Sequence, residues 1–133
     1  MLDNTITLAV DELNTDSTTN HVFDRFEEFS NRSVYIGENH ALTARDTLSF
    51  YRSFPKASGN FKGVAKTAFK FTQDLVVDGV DGVASLTSPI ICEVSFSVPV
   101  GVTAAEQMIA RQRAIALLDD DDLMVALMNQ LMV

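Results

Sequence analysis

The chain has 133 residues, 47% of them hydrophobic and 21% charged, with a formal charge of −8 and a single cysteine. That composition fits one domain able to bury a core unaided, and Cys92 alone excludes an intrachain disulfide. No Cys/His cluster has the spacing of a zinc site and no stretch approaches the roughly 18 apolar residues that span a bilayer. The acidic balance, taken as an average, argues against a phosphate-bearing partner.

Thr5 to Val10 alternates polar and apolar and predicts a strand, paired across the polar stretch 11–19 with a second strand around Asn20 to Phe23. The opening Met1-Leu2-Asp3-Asn4 has neither the basic nor the apolar region of a signal peptide, so the chain is expected to stay in the compartment where it is made. A short strand follows at Ser33 to Ile36. From Arg45 the alternation is clear: Arg45, Thr47, Ser49, Tyr51 and Ser53 point one way, Leu48, Phe50 and Phe54 the other. After the turn-like Pro55 to Asn60 it resumes, with Lys62, Val64, Lys66, Ala68 and Lys70 set against Phe61, Gly63, Ala65, Thr67, Phe69 and Phe71. These two rows read as an antiparallel hairpin with one shared polar surface.

The glycine-bearing stretch Val76 to Leu86, with Asp78-Gly79 and Asp81-Gly82, predicts a loop. Pro89 to Val98 predicts the last strand, with Ile90, Cys92, Val94, Phe96 and Val98 on its apolar side and Ile91, Glu93, Ser95 and Ser97 on the other. Thr103-Ala104-Ala105-Glu106 is a capping-box pattern that opens a helix to Leu118. A second helix starts within Asp119 to Asp122 and runs to about Leu131. Its aspartates suit the positive end of a helix better than a calcium site. Asp78 to Gly82 likewise lacks the ligand pattern of an EF-hand loop.

The charge is segregated. Residues 45–70 contain six of the ten cationic side chains and one acid, a net of +5, which leaves −13 for the remainder of the −8 chain. Such a window predicts a local basic surface on an acidic protein. The bare strand edges, and an apolar sheet face with only the C-terminal helices to cover it, predict a homodimer.

With those elements in place, the sequence resembles the coat proteins of single-stranded RNA bacteriophages, the levivirus group. The resemblance follows the element order over nearly the whole chain. It is most specific in Cys92-Glu93-Val94-Ser95-Phe96-Ser97 leading to Ala116-Leu117-Leu118, in Ala126-Leu127-Met128-Asn129-Gln130-Leu131, and in Asn60-Phe61-Lys62 with Lys66, preceded by Thr47-Leu48-Ser49. It implies an α+β fold: an N-terminal β-hairpin (about 1–24), a five-stranded antiparallel sheet (32–98, with a mobile loop 76–86) and two C-terminal helices (103–133) that clasp a partner in an interlocked homodimer. It also implies that residues 1–133 form a single coat-protein domain.

Functionally, the resemblance implies a capsid protein whose dimers assemble into an icosahedral shell, bind genomic RNA on the inner sheet face, and bind an RNA stem-loop for packaging and repression of replicase translation. The virion would be its location, after assembly in the bacterial cytoplasm. Carried over by position, the RNA-facing residues are Arg45, Thr47, Ser49, Tyr51, Lys62, Val64, Lys66, Ile91 and Glu93. Where several family members place an aromatic on the last strand, this chain has Ile91, which offers no π-face; Tyr51 on a neighbouring strand is the available substitute.

The alternative reading is a non-viral dimeric nucleic-acid-binding module using the same face. No catalytic set, cofactor or metal is expected: His21 and His40 have no adjoining nucleophile, and no glycine-rich phosphate loop occurs.

Overall fold

The computed structural model describes residues 2–132, so Met1 and Val133, the ends of the expected domain, lie outside the described residues. Six strands, β1 (Thr5–Val10), β2 (Thr19–Glu28), β3 (Arg32–Gly37), β4 (Asp46–Ser53), β5 (Val64–Asp78) and β6 (Ser85–Pro99), precede two helices, α1 (Ala104–Leu118) and α2 (Asp121–Asn129). The strands form one antiparallel sheet in the order β1-β2-β3-β4-β5-β6. The expected hairpin plus five-stranded sheet is therefore corrected to a single sheet of six. The hairpin supplies its two outer strands because β2 is longer than its apolar alternation indicated, and its far end pairs with β3 from Phe23↔Gly37 to Glu28↔Ser33.

Register sorts the side chains onto two faces, since cross-strand partners share a face. One face carries Phe23, Tyr35 and Leu48, the buried centre, with Ile6, Leu8, Phe50, Phe69 and Phe71 packed around them. Phe69 meets Phe71, and Tyr35 meets Phe50, edge to face. The Tyr35 hydroxyl stays satisfied beneath this cluster: it donates to the Asp3 carbonyl at 2.7 Å and accepts from Arg25, whose guanidinium also bonds the Leu2 carbonyl. These bonds draw the segment before β1 across the apolar face. Leu48 is 2% exposed at the middle of the cluster. Leu48→Ala is expected to cost about 2–5 kcal/mol, read as a fall in the urea unfolding midpoint.

Three further expectations change. β5 begins at Val64 rather than Phe61, because Gly63 has a φ of +94° and ends the extended run. A Cβ at position 63 would lie 2.6 Å from the Lys56 carbonyl oxygen, so the close return of the preceding loop requires glycine here. The loop expected over 76–86 shrinks to 79–84, because Val76 pairs with Thr87 and Val77 with Leu86. Within it the Asp81 carboxylate accepts from the amides of Val83 and Ala84, which holds its pKa below the usual carboxylate range.

The third change concerns the cover of the apolar face. The Thr103/Glu106 capping box forms as expected, and the Asp120 side chain caps α2 by accepting from the Leu123 amide. Yet no residue of either helix is buried, and the element each chiefly contacts is the other helix. The helices do not shelter the apolar face of their own sheet. Ile90 remains 49% exposed and Cys92 is exposed on that face, while Ile109, Ile115 and Leu118 on α1 are 44–55% exposed.

Candidate nucleic-acid interface

The opposite face is polar, and its composition follows directly from the alternation. Reading across from β3 through β4 and β5 to β6, successive rows are Ile36–Thr47–Thr72–Ile91, Val34–Ser49–Lys70–Glu93 and Arg32–Tyr51–Ala68–Ser95, followed by Ser53–Lys66–Ser97 and Val64–Pro99 on the later strands. Seven of the nine residues singled out from the sequence, Thr47, Ser49, Tyr51, Val64, Lys66, Ile91 and Glu93, thus share one surface. Ser49 and Thr72 are nearly enclosed by their sheet neighbours, at 9% and 8% exposure, whereas Lys66, Ile91 and Glu93 are open.

The other two residues sit differently. Lys62 lies in the loop between β4 and β5, ahead of Gly63, so strand alternation does not fix its direction. The extended pattern of Phe61 to Phe71 hid that break, which a glycine at positive φ produces. Arg45 directly precedes β4 and is committed to Asp74. Its Nε and Nη2 donate to the two carboxylate oxygens at 3.1 Å, its amide donates to Oδ2 at 2.9 Å, and its carbonyl accepts from the Asp74 amide at 2.8 Å. This is a two-pronged clamp between strands, 29 positions apart in sequence, and it neutralises one of the cations expected to face a phosphate.

Arg45 holds the Asp74 carboxyl below its ordinary range, first through the side-chain hydrogen bonds and then through the backbone one. A depressed folded-state pKa stabilises the fold above the unfolded value, about 3.9, and that contribution disappears as pH falls through the folded value. Asp74→Asn should therefore lower the thermal midpoint at neutral pH, and its deficit relative to the parent should close as the pH is taken well below 4. Glu106, lowered by its Thr103 bonds, and Asp81 titrate with the same sign and add to the acid sensitivity of both proteins.

Among the described residues neither Lys66 nor Lys70 forms an ion pair, so two strand-borne ammonium groups remain free on the polar face. Glu93 stands opposite Lys70 in the register without reaching it as a salt bridge. Arg32, absent from the sequence-derived set, occupies the same row as Tyr51. Only the pairing register reveals it, since β3 carries no charge pattern of its own. The histidines serve local contacts: His21 meets Glu12 at 2.5 Å, and His40 Nδ1 accepts from the Asp46 amide at 3.2 Å. Among the described residues no group of three or more His, Cys, Asp or Glu could hold a metal ion, and no helix is long and apolar enough to cross a membrane.

A sequential antiparallel sheet with one polar and one apolar face, continued by a C-terminal helix pair, places the chain in the α+β class. No protein-family model and no curated protein matches the sequence. Solved structures do match. The virus-like particle of bacteriophage AVE019 is similar at 19% identity and a TM-score of 0.74, covering 95% of this chain and 94% of that one. That of bacteriophage ESE058 matches at 13% identity and a TM-score of 0.71 over 100% and 99% of the two chains. That of Beihai levi-like virus 32 matches at 20% identity and a TM-score of 0.67 over 80% and 83%. The chain has the levivirus-type coat fold.

Proposed function

We propose that this chain is the coat protein of a single-stranded RNA bacteriophage. It forms homodimers that assemble into an icosahedral shell, with the polar sheet face turned inward to the genome. The observation that carries this reading is the incompleteness of the single chain. Its accessible surface is 10,416 Å², whereas a compact monomer of its mass exposes roughly 6,900 Å². The excess of about 3,500 Å² per chain, about 7,000 Å² for a pair, falls with the largest obligate interfaces, those above roughly 5,000 Å² in total. Much of its apolar part lies on α1, α2 and the apolar side of β5 and β6, where Leu75, Ile90, Met108, Ile115 and Leu127 stand exposed. Burying the helices of one copy against the sheet of the other covers both.

A domain that left this surface to solvent would aggregate. A clasped dimer resolves the problem and merges two polar faces into one platform, on which Thr47, Ser49, Tyr51, Val64, Lys66, Ile91 and Glu93, with Lys62 from the adjoining loop, face RNA; Arg45 contributes by fixing β4 to β5. Binding a stem-loop of its own messenger there would mark the genome for packaging and repress replicase translation. The likeness to subunits of virus-like particles supports the shell, and the free lysines support the RNA face. The protein acts as a structural component of the virion and needs no cofactor.

Expression of the full chain in bacteria tests this. Large uniform particles in electron micrographs, enclosing RNA that survives nuclease, are the expected product. A small dimer that binds nucleic acid without forming particles would instead establish the non-viral module, and a stable monomer would remove both readings.

A further inference from the structure

β6 ends the strand order, so one of its backbone edges is paired with β5 and the other is open. It has 15 residues, against 6 for β1 at the opposite end of the sheet. A long open edge is a template for another strand, and proteins blunt such edges with lysines, bulges or prolines. β6 has no lysine or arginine, and its register with β5 runs unbroken from Val64↔Pro99 to Asp78↔Ser85. Two prolines, Pro89 and Pro99, are the blunting residues it carries. The direction of its amides follows from two hydrogen bonds. The Asp74 amide donates to the Arg45 carbonyl, towards β4, so Pro89, which stands opposite Asp74, turns its backbone nitrogen away from β5. At the other end the Val100 amide donates to the Gly63 carbonyl, towards β5, so the preceding Pro99 also faces outward. The open edge therefore presents the amides and carbonyls of Ile91, Glu93, Ser95 and Ser97, bracketed by two residues that have no N–H.

A two-fold axis perpendicular to the sheet sets β6 antiparallel to a second copy of itself and keeps both polar faces on one side. We propose that this axis passes beside Val94, so that Ile91 pairs with the partner's Ser97 and Glu93 with the partner's Ser95. Every outward donor between the prolines is then used, each pair exchanging two backbone hydrogen bonds. Pro89 falls opposite the partner's Pro99, and the ladder stops where neither strand can donate. Each Glu93 faces a hydroxyl, and on the apolar side Val94 meets its own copy. The neighbouring registers are worse. An axis at Glu93 sets two carboxylates against each other. An axis at Cys92 puts Pro89 opposite the partner's Ser95, and one at Ser95 puts Pro99 opposite the partner's Ile91, which leaves acceptors without donors. The inference rests on the homodimer reading above and adds to it the residue on the axis and the extent of the shared ladder.

Diamide oxidation of the full chain, followed by electrophoresis without reductant, tests the axis. Cys92 is the chain's one cysteine. In the proposed register residue 94 lies about 4.5 Å from its copy, Cα to Cα, within disulfide range, whereas the two Cys92 are offset by four residues, about 13 Å along the strand. Cys92→Ser with Val94→Cys should therefore give covalent pairs at least roughly tenfold faster than the parent. Hydrogen exchange of the unsubstituted protein supplies a readout that needs no variant to fold. The amides of Ile91, Glu93, Ser95 and Ser97 should exchange slowly, and that of Thr87, beyond Pro89 on the same edge, quickly. A protein that sediments as a dimer, yet cross-links through Cys92 as readily as through position 94 or exchanges those four amides as fast as Thr87, would overturn the axis while leaving the dimer standing. A stable monomer would overturn both.

Discussion

A chain carrying Ile115→Asp together with Leu118→Asp is expected to lose the proposed dimer and most of its stability. The two positions lie three apart on α1, on one side of the helix, and are 44% and 51% exposed in the single chain. Substitutions at exposed sites free of special contacts ordinarily change stability by no more than about 0.5 kcal/mol. A subunit complete by itself would barely register them. In the proposed clasped dimer both side chains would be buried against the partner in both copies, where an unpaired carboxylate is costly and each lost aliphatic contact removes about 2–5 kcal/mol. Sedimentation of parent and variant, together with urea unfolding at several protein concentrations, separates the cases. The parent midpoint should rise with concentration, as association requires, and the variant should sediment as a poorly folded or aggregating species. A variant as stable as the parent, sedimenting identically, would contradict the dimer.

Reversal of the two free strand-borne charges, Lys66→Glu with Lys70→Glu, should reduce RNA affinity at about 0.1 M salt by one to two orders of magnitude or more. Each lysine that neutralises a phosphate of single-stranded RNA contributes about 0.7 to the slope of log affinity against log salt, so the slope should fall by at least about 1.4. The new carboxylates add repulsion. Because both positions lie on the solvent side of β5, away from the Phe23–Tyr35–Leu48 centre, the fold should survive, and circular dichroism of the variant should match the parent. Glu93→Gln should act in the opposite direction, with a several-fold gain, since it removes the acid facing Lys70. Unchanged affinity and slope for the double reversal would remove the RNA assignment from this face.

The fold was legible where periodicity and punctuation agree. Period-two alternation in 5–10, 46–53 and 89–98 places strands and assigns faces, and Thr103 with Glu106 marks the start of α1 because both halves of the capping box lie three residues apart. What escaped was decided by partners distant in sequence. β2 and β6 run beyond their apolar cores because the neighbouring strands offer hydrogen bonds to polar residues as well. Val76 and Val77 read as loop beside the glycines, but pair with Thr87 and Leu86 in the sheet. In the interface, alternation correctly grouped the residues of β4, β5 and β6. It does not fix the direction of Lys62, where one glycine at positive φ interrupts the run, and it missed the neutralisation of Arg45 by Asp74 and the alignment of Arg32 with Tyr51. Those facts belong to register, which local pattern does not contain.

The strictly sequential order of the six strands has a bearing on biogenesis. Each new strand finds its neighbour already waiting as it leaves the ribosome, so zipping proceeds hairpin by hairpin through short-range closures, the quick kind for a β topology. The helix pair that follows the sheet is the part that finds no counterpart at home. With the proposed dimer, maturation should divide into a fast step whose rate ignores dilution and a slower one that follows the square of subunit concentration, which would tie assembly to the level of translation in the cell.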